Sequence, residues 1–143
     1  MHLPWILEVC CTQHELPLRV TLDQQVQNIV ITQSLHKICG TLDDQPGTEH
    51  CLTIELHGKT HRHTQLDSQG NITQDRLIQV SRFGIDGLDF TRLLHTDALY
   101  QHDCNGTAPP VQEQFFGTMG CNGLVTVRFC SPVYLTLLKL SQG

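Results

Sequence analysis

The sequence predicts an all-β protein: an antiparallel β-sandwich of jelly-roll type, with about eight strands and at most one short helix. Three observations point there. The chain has two Ala against fifteen Thr, nine Val and eight Ile; β-branched side chains suit a pleated surface, whereas a helical bundle leans on alanine. Apolar residues recur at every second position in several segments. Clusters of Gly, Pro, Asn and Asp separate those segments. At 143 residues with 39% hydrophobic side chains, and with no Pro/Gly/Ser linker, residues 1–143 read as one domain able to bury a core.

The elements follow in order. Trp5 to Val9 opens as a strand that continues past Cys10. Leu16–Leu22 places Leu16, Leu18, Val20 and Leu22 on one face, with Pro17 suited to a strand start. Val26 to Thr32 is the next strand, and Thr41 to His50, with Asp43, Asp44, Pro46 and Gly47, reads as a loop. Cys51–Leu56 alternates cleanly, and Asp67 to Ile72 is a turn in which Gly70 is free to take a positive φ. From Arg76 to Asp86 the pattern breaks phase: Ile78 and Val80 share one parity, Phe83 and Ile85 the other. One face holds all four only if a β-bulge near Ser81-Arg82 absorbs a residue. Thr91 to Gln101 carries a short helix, from the Leu94/Ala98 spacing. Gly123 to Phe129 is a strand, and Val133 to Leu140 a final strand of mixed parity. Phe115 and Phe116 are expected in the core, one facing each side.

Charge excludes two classes of partner. Nine Lys and Arg stand against fourteen Asp and Glu, a formal net charge of −5, so there is no basic footprint for nucleic acid. No apolar run reaches the length that spans a bilayer as a helix. The first eight residues lack a basic n-region and a long apolar stretch, so no signal peptide is expected. Without a secretory route, the triplets Asn71-Ile72-Thr73 and Asn105-Gly106-Thr107 carry no glycosylation signal.

Seven cysteines (10, 11, 39, 51, 104, 121 and 130) show no C-x-x-C spacing. Most read as small buried hydrophobes. The odd count leaves one unpaired or joined to a neighbouring chain, with the adjacent pair Cys10 and Cys11 the candidates for an intersubunit disulfide. His57, His61 and His63 form the densest histidine cluster and a candidate transition-metal site: on a strand His61 and His63 share a face and could hold one metal, with no fixed third ligand, set against a plain solvated strand edge. Asp86, Asp89, Asp103 and Asn105 place oxygen donors at alternate positions near glycines, the chemistry calcium requires, although Asp and Asn at such positions also serve as turn residues. No nucleophile elbow, phosphate-cradling glycine loop or His-Glu-x-x-His is present, so no enzyme activity is expected.

Residues 52–60 (Leu-Thr-Ile-Glu-Leu-His-Gly-Lys-Thr), Asp67 to Ile72, Asp75 to Ile78, Ile85-Asp86-Gly87 and Tyr100 to Gly106 follow one another in an order that resembles small β-sandwich virion proteins of tailed bacteriophages. The match continues through Phe116 to Gly123 and Ser131 to Leu135. It implies a non-enzymatic structural or attachment component of a phage particle, assembled in the host cytoplasm and acting on other virion proteins or itself. The same order is loosely similar to calcium-dependent, xylan-binding-like carbohydrate modules, with Asp86 on a motif position. That similarity implies the alternative, a module that binds a glycan through calcium. A second alternative is an intracellular metal- or redox-responsive protein using the histidine and cysteine surplus.

Overall fold

Apolar side chains at every second position leave one face of each strand to bury, and this chain does so by stacking two antiparallel sheets. The computed structural model describes residues 1–60 and 64–142, those at 73 and 74 by their backbone. In chain order the strands are β1 His2–Cys11, β2 Leu16–Leu22, β3 Gln25–Ile31, β4 His36–Asp43, β5 Glu49–Leu56, β6 Thr64–Leu66, β7 Ile72–Asp75, β8 Ile78–Ile85, β9 Leu88–Asp89, β10 Leu99–His102, β11 Val111–Gln114, β12 Thr118–Met119 and β13 Gly123–Cys130. Helix α1 is Thr91–Thr96 and helix α2 is Val133–Gln142.

One sheet runs β12-β8-β1-β4, with β9 paired to β8; the other runs β11-β10-β13-β5-β2-β3. Strands β6 and β7 form a separate hairpin. The antiparallel sandwich expected from the sequence is the fold observed. Leu16, Leu18, Val20 and Leu22 of β2 all point into the core, as do Leu52, Ile54 and Leu56 of β5. Trp5, Phe83, Phe90 and Phe115 are its largest fully buried members.

The bulge lies where the phase break places it. Glu8 of β1 faces Arg82, but Val9 faces Val80, so Ser81 is the extra residue. Ile78, Val80, Phe83 and Ile85 are consequently all buried on one face.

Three local expectations differ from the structure. Val133 to Leu140 is helix, not strand: Val133, Leu137 and Leu140 are four and three apart and turn together towards the core. The Asp44 carboxylate accepts the Val133 amide at 2.9 Å and so closes the start of α2. The second helix, α1, is shorter than expected, because Leu99–His102 leaves it to form β10. Strand β4 occupies 36–43, where the sequence reads as loop from Thr41. Its alternation is hidden by Gly40, which faces Trp5 between the inward Ile38 and Leu42.

Register gives the sandwich two distinct ends. At one, the loop end, β1 passes to β2, β3 to β4 and β10 to β11, and β5 and β12 finish. The other, the helix end, holds the β8–β9 turn, the Asp44 loop and the start of α2.

The contact between Gly40 and Trp5 yields a test. A Cβ at Gly40 would lie 2.6 Å from Trp5 Nε1 and 2.7 Å from Cε2, and Trp5 is only 2% exposed, so the indole has nowhere to go. Gly40→Ala is expected to destabilise by about 1–3 kcal/mol in urea unfolding. Gly120→Ala, whose nearest neighbour would be Leu77 Cδ2 at 3.6 Å, is expected to change stability by less than about 0.5 kcal/mol. Equal stability of the two variants would contradict this packing.

Candidate functional site

The outer face of the six-stranded sheet carries a polar row across its strands. Asn28 faces Arg19, Arg19 faces Glu55, Glu55 faces Leu124, Leu124 faces Gln101, and Gln101 faces Gln112. Each occupies the parity opposite to the buried residues, so the row is a consequence of period two. Arg19 is held in place by Asn28 Oδ1 at 3.0 Å and by Glu55 at 3.5 Å. Towards the loop end the row opens into a cleft of about 850 Å³. Glu55, His57, Gln101, His102, Asp103 and Gln112 supply its polar lining, and Pro110, Val111 and Leu124 its apolar patch.

Beside the cleft, loops are fastened by a buried lysine. Lys59 Nζ pairs with Asp75 at 2.6 Å with its side chain 1% exposed, and also donates to the Gly120 carbonyl. Asn122 brackets the same residue: its Oδ1 accepts the Lys59 amide at 2.8 Å and its Nδ2 donates to the Lys59 carbonyl at 2.7 Å. Asn105 Oδ1 accepts the Asn122 amide at 2.7 Å. The Tyr100 hydroxyl donates to the Cys121 carbonyl and accepts the Cys121 amide. Burial pushes the Tyr100 phenol up to about 12.

His102, Cys104 and Cys121 meet in this cluster, with ligand atoms all within 4.8 Å of one another. His102 Nε2 contacts Glu113 Oε1 at 2.7 Å, while its Nδ1 lies 3.8 Å from Cys104 Sγ and 3.3 Å from the Cys104 amide. Burial, then the neighbouring Cys104, raises the Cys121 thiol above its ordinary value. The sequence reading counted both cysteines but assigned none of these three to a site. His102-x-Cys104 is a local signal, but Cys121 reaches it only through pairing of β10 with β13.

The residues named from sequence are dispersed. Asp86 and Asp89 lie at the helix end, Asp103 and Asn105 at the loop end, so the four do not form one calcium site. Asp86 and Gly87 take φ of 54° and 75° as the two-residue turn between β8 and β9, and Asp86 Oδ2 accepts the Tyr134 hydroxyl at 2.7 Å. Asp89 Oδ1 accepts both the amide and the hydroxyl of Thr91, at 2.9 and 2.6 Å. Asp103 Oδ1 accepts the Gly106 amide at 2.9 Å. Calcium takes six to eight oxygens. Among the described residues no three acidic side chains converge, so these four residues do not supply one calcium shell.

His57 is exposed and lines the cleft, whereas His61 and His63 lie outside the described residues. Cys10 is half-buried and Cys11 is 2% exposed; the exposed thiols are Cys39 and Cys130. A buried Cys11 cannot reach another chain without opening β1. Phe115 is in the core against Tyr100, but Phe116 is 74% exposed, contrary to the expectation for it. The tight turn at Gly117, φ 97°, lets consecutive side chains part in this way.

At the helix end, Asp23, His50 and Ser131 form a hydrogen-bonded chain: His50 Nδ1 to Asp23 Oδ2 is 2.7 Å and His50 Nε2 to Ser131 Oγ is 2.8 Å. The order is that of a hydrolase triad. Here His50 is 1% and Ser131 5% exposed, with the His50 ring stacked 5.2 Å from Phe129. Neither side chain lines the cleft. The trio satisfies buried polar groups and fastens the β4–β5 connection to the end of β13.

These features define a class by architecture: a small two-sheet sandwich with a polar cleft at its strand ends, the fold also found in calcium-dependent carbohydrate-binding modules. The particular structures that the chain resembles are of vCBM60. One is its selenomethionine form, described with a circular permutation linking two families of such modules; it superposes with a TM-score of 0.56 at 8% identity, covering 87% of this chain and 89% of that one. The other is vCBM60 in complex with galactobiose, with a TM-score of 0.52 at 11% identity over 88% and 99% of the two chains. No protein-family model matches the sequence, and no curated protein does. The likeness is one of fold. The fold that the carbohydrate-module similarity implies is the one found.

The bonds to Asp89 generate a prediction. The Thr91 hydroxyl, then its amide, hold the Asp89 carboxyl below the usual aspartate value. Asp89→Ala is expected to cost about 1 kcal/mol, the net worth of a hydrogen bond to a charged or polar group, with or without added calcium. A depressed carboxyl contributes its stability above the unfolded-state value and loses it as pH falls through the lowered folded-state value. The gap between wild type and variant should therefore close in strong acid; a gap that persists there contradicts the role given to the two Thr91 hydrogen bonds.

Proposed function

We propose that this chain is a non-catalytic carbohydrate-binding module that takes a glycan across the outer face of the six-stranded sheet, at its loop end. The carrying observation is the cross-strand row Arg19, Glu55, Gln101 and Gln112 opening into the cleft. Sugar hydroxyls donate and accept in pairs, and planar carboxamide and carboxylate groups match them two atoms at a time. Leu124, beside Gln101 on that face, offers an apolar surface for the C–H face of a pyranose ring, and Val111 lines the cleft's edge. An open cleft suits an extended chain of sugars better than a single residue. The fold shared with a module solved in complex with galactobiose supports the same reading. Glu55 is engaged by Arg19 and Asp103 by its own turn, an arrangement for holding a ligand rather than for transferring a proton.

The test is a titration of labelled full-length protein with galactobiose and with xylan and galactan oligosaccharides, followed by amide resonances. Shifts are expected along β10, β11 and the end of β5. Gln101→Ala with Gln112→Ala should weaken binding about tenfold, two modest hydrogen bonds at about 0.5–1.5 kcal/mol each. Because the acids do not converge, EDTA should leave the affinity unchanged. Shifts confined to the helix end, or none with any glycan, would overturn this reading.

A second reading, attachment to other proteins of a particle, draws on exposed apolar side chains: Phe116, and Leu135 and Leu138 on α2. Light scattering separates the two. The module reading expects a 16.1 kDa monomer, and a defined multimer favours the particle.

A further inference from the structure

We propose that His102 Nδ1, Cys104 Sγ and Cys121 Sγ bind a borderline transition-metal cation, zinc in the first instance, with Glu113 orienting the histidine. The site does not depend on the glycan reading. The ligand atoms already stand within 4.8 Å of one another, and His102 Nδ1 is 3.8 Å from Cys104 Sγ. A tetrahedral zinc with bonds of about 2.3 Å to sulfur and 2.0–2.1 Å to nitrogen holds such atoms about 3.5–3.8 Å apart. Closing the set needs only side-chain adjustment.

The histidine is preset for this role. Its Nδ1 receives the Cys104 amide hydrogen, so that nitrogen carries the lone pair, and Nε2–H is left to donate to Glu113 Oε1 at 2.7 Å. A carboxylate on the far nitrogen is the usual support of a metal-bound imidazole, fixing its tautomer and raising its basicity. The Cys104 amide bond, long at 3.3 Å, is the contact a metal would displace. His102 and Glu113 share the inward parity of β10 and β11, and the left-handed turn at Cys104 and Asn105, φ 52° and 59°, folds the thiol back over the ring.

The donor set also selects the cation. Two thiolates and an imidazole favour zinc and softer ions and exclude calcium and magnesium, which demand oxygen. Two thiolates balance a divalent charge, and the adjacent Lys59 ammonium is already balanced by Asp75. Among the described residues three ligands converge, which leaves the fourth tetrahedral position open.

The experiment uses full-length, metal-free, reduced protein under anaerobic conditions, titrated with zinc alone against a chromophoric chelator, and with cobalt as the spectroscopic probe. One zinc per chain is expected, and cobalt should give thiolate-to-metal charge-transfer bands. Cys104→Ser and Cys121→Ser, each checked for wild-type circular dichroism, should weaken zinc at least tenfold and diminish those bands. Glu113→Gln should weaken zinc about 10–100-fold while preserving the cobalt spectrum, as expected of a positioning residue. Cys39→Ser and Cys130→Ser, at exposed thiols outside the cluster, should change nothing. Zinc binding that survives loss of both Cys104 and Cys121 would overturn the proposal. So would reduced wild type that takes up no zinc, the outcome expected if the two thiols serve only as a disulfide.

Discussion

The loop end of this sandwich depends on one buried ion pair. Lys59 places an ammonium where its side chain is 1% exposed, against Asp75 at 2.6 Å and the Gly120 carbonyl. Such a charge is tolerated only while its partners stay; removing one partner of a buried pair costs about 3–5 kcal/mol. The pair therefore binds the exit of β5, the β6–β7 hairpin and the loop between β12 and β13 into one body. Asn122 extends the lock to the β10–β11 connection through Asn105. Cys121 sits between two residues of this lock, Gly120 and Asn122, and the cleft is walled partly by the same loops.

The two ends spend their polar side chains differently. At the helix end they are consumed by the fold: Asp44 caps α2, Asp89 holds the start of α1, Asp86 meets Tyr134, and Asp23, His50 and Ser131 satisfy one another. At the loop end, Gln101 and Gln112 face outward on adjacent strands, and His102 turns Nδ1 towards the Cys104 thiol, with Cys121 beside them. Polar groups on rigid strand ends, with loops fastened beside them, are held in place by the fold; for the proposed glycan site, that lowers the ordering cost of binding.

The fold was legible wherever a single local period decides the outcome. In β2 and β5 alternation alone sorts inside from outside, and the phase break between Val80 and Phe83 locates Ser81 as a bulge because only an extra residue restores one face. Legibility failed where a period had two readings or a partner was distant. Val133, Leu137 and Leu140 repeat at helical spacing, but Leu135 and Leu138 between them blur it, and the Asp44 cap lies 89 residues away. Phe116 looked as apolar as Phe115, and nothing local says that Gly117 turns the chain between them. For the site, local spacing suggested oxygen donors at Asp86, Asp89, Asp103 and Asn105, yet topology sends them to opposite ends. Of the His102, Cys104 and Cys121 cluster, spacing shows only His102-x-Cys104; Cys121 joins it through strand pairing, not sequence proximity.

The central claim is that the Lys59–Asp75 pair makes the loop end a separately fastened body on an already stable sandwich. Amide hydrogen exchange in wild type and Lys59→Met tests it most directly. The Asn122 amide, donated to Asn105 Oδ1 at 2.7 Å, should exchange as slowly as those of β5 and β13 in wild type. In the variant it should lose most of its protection while the amides of β2, β5 and β13 keep theirs. Unchanged protection at Asn122, or loss of protection in all strands together, would contradict the account.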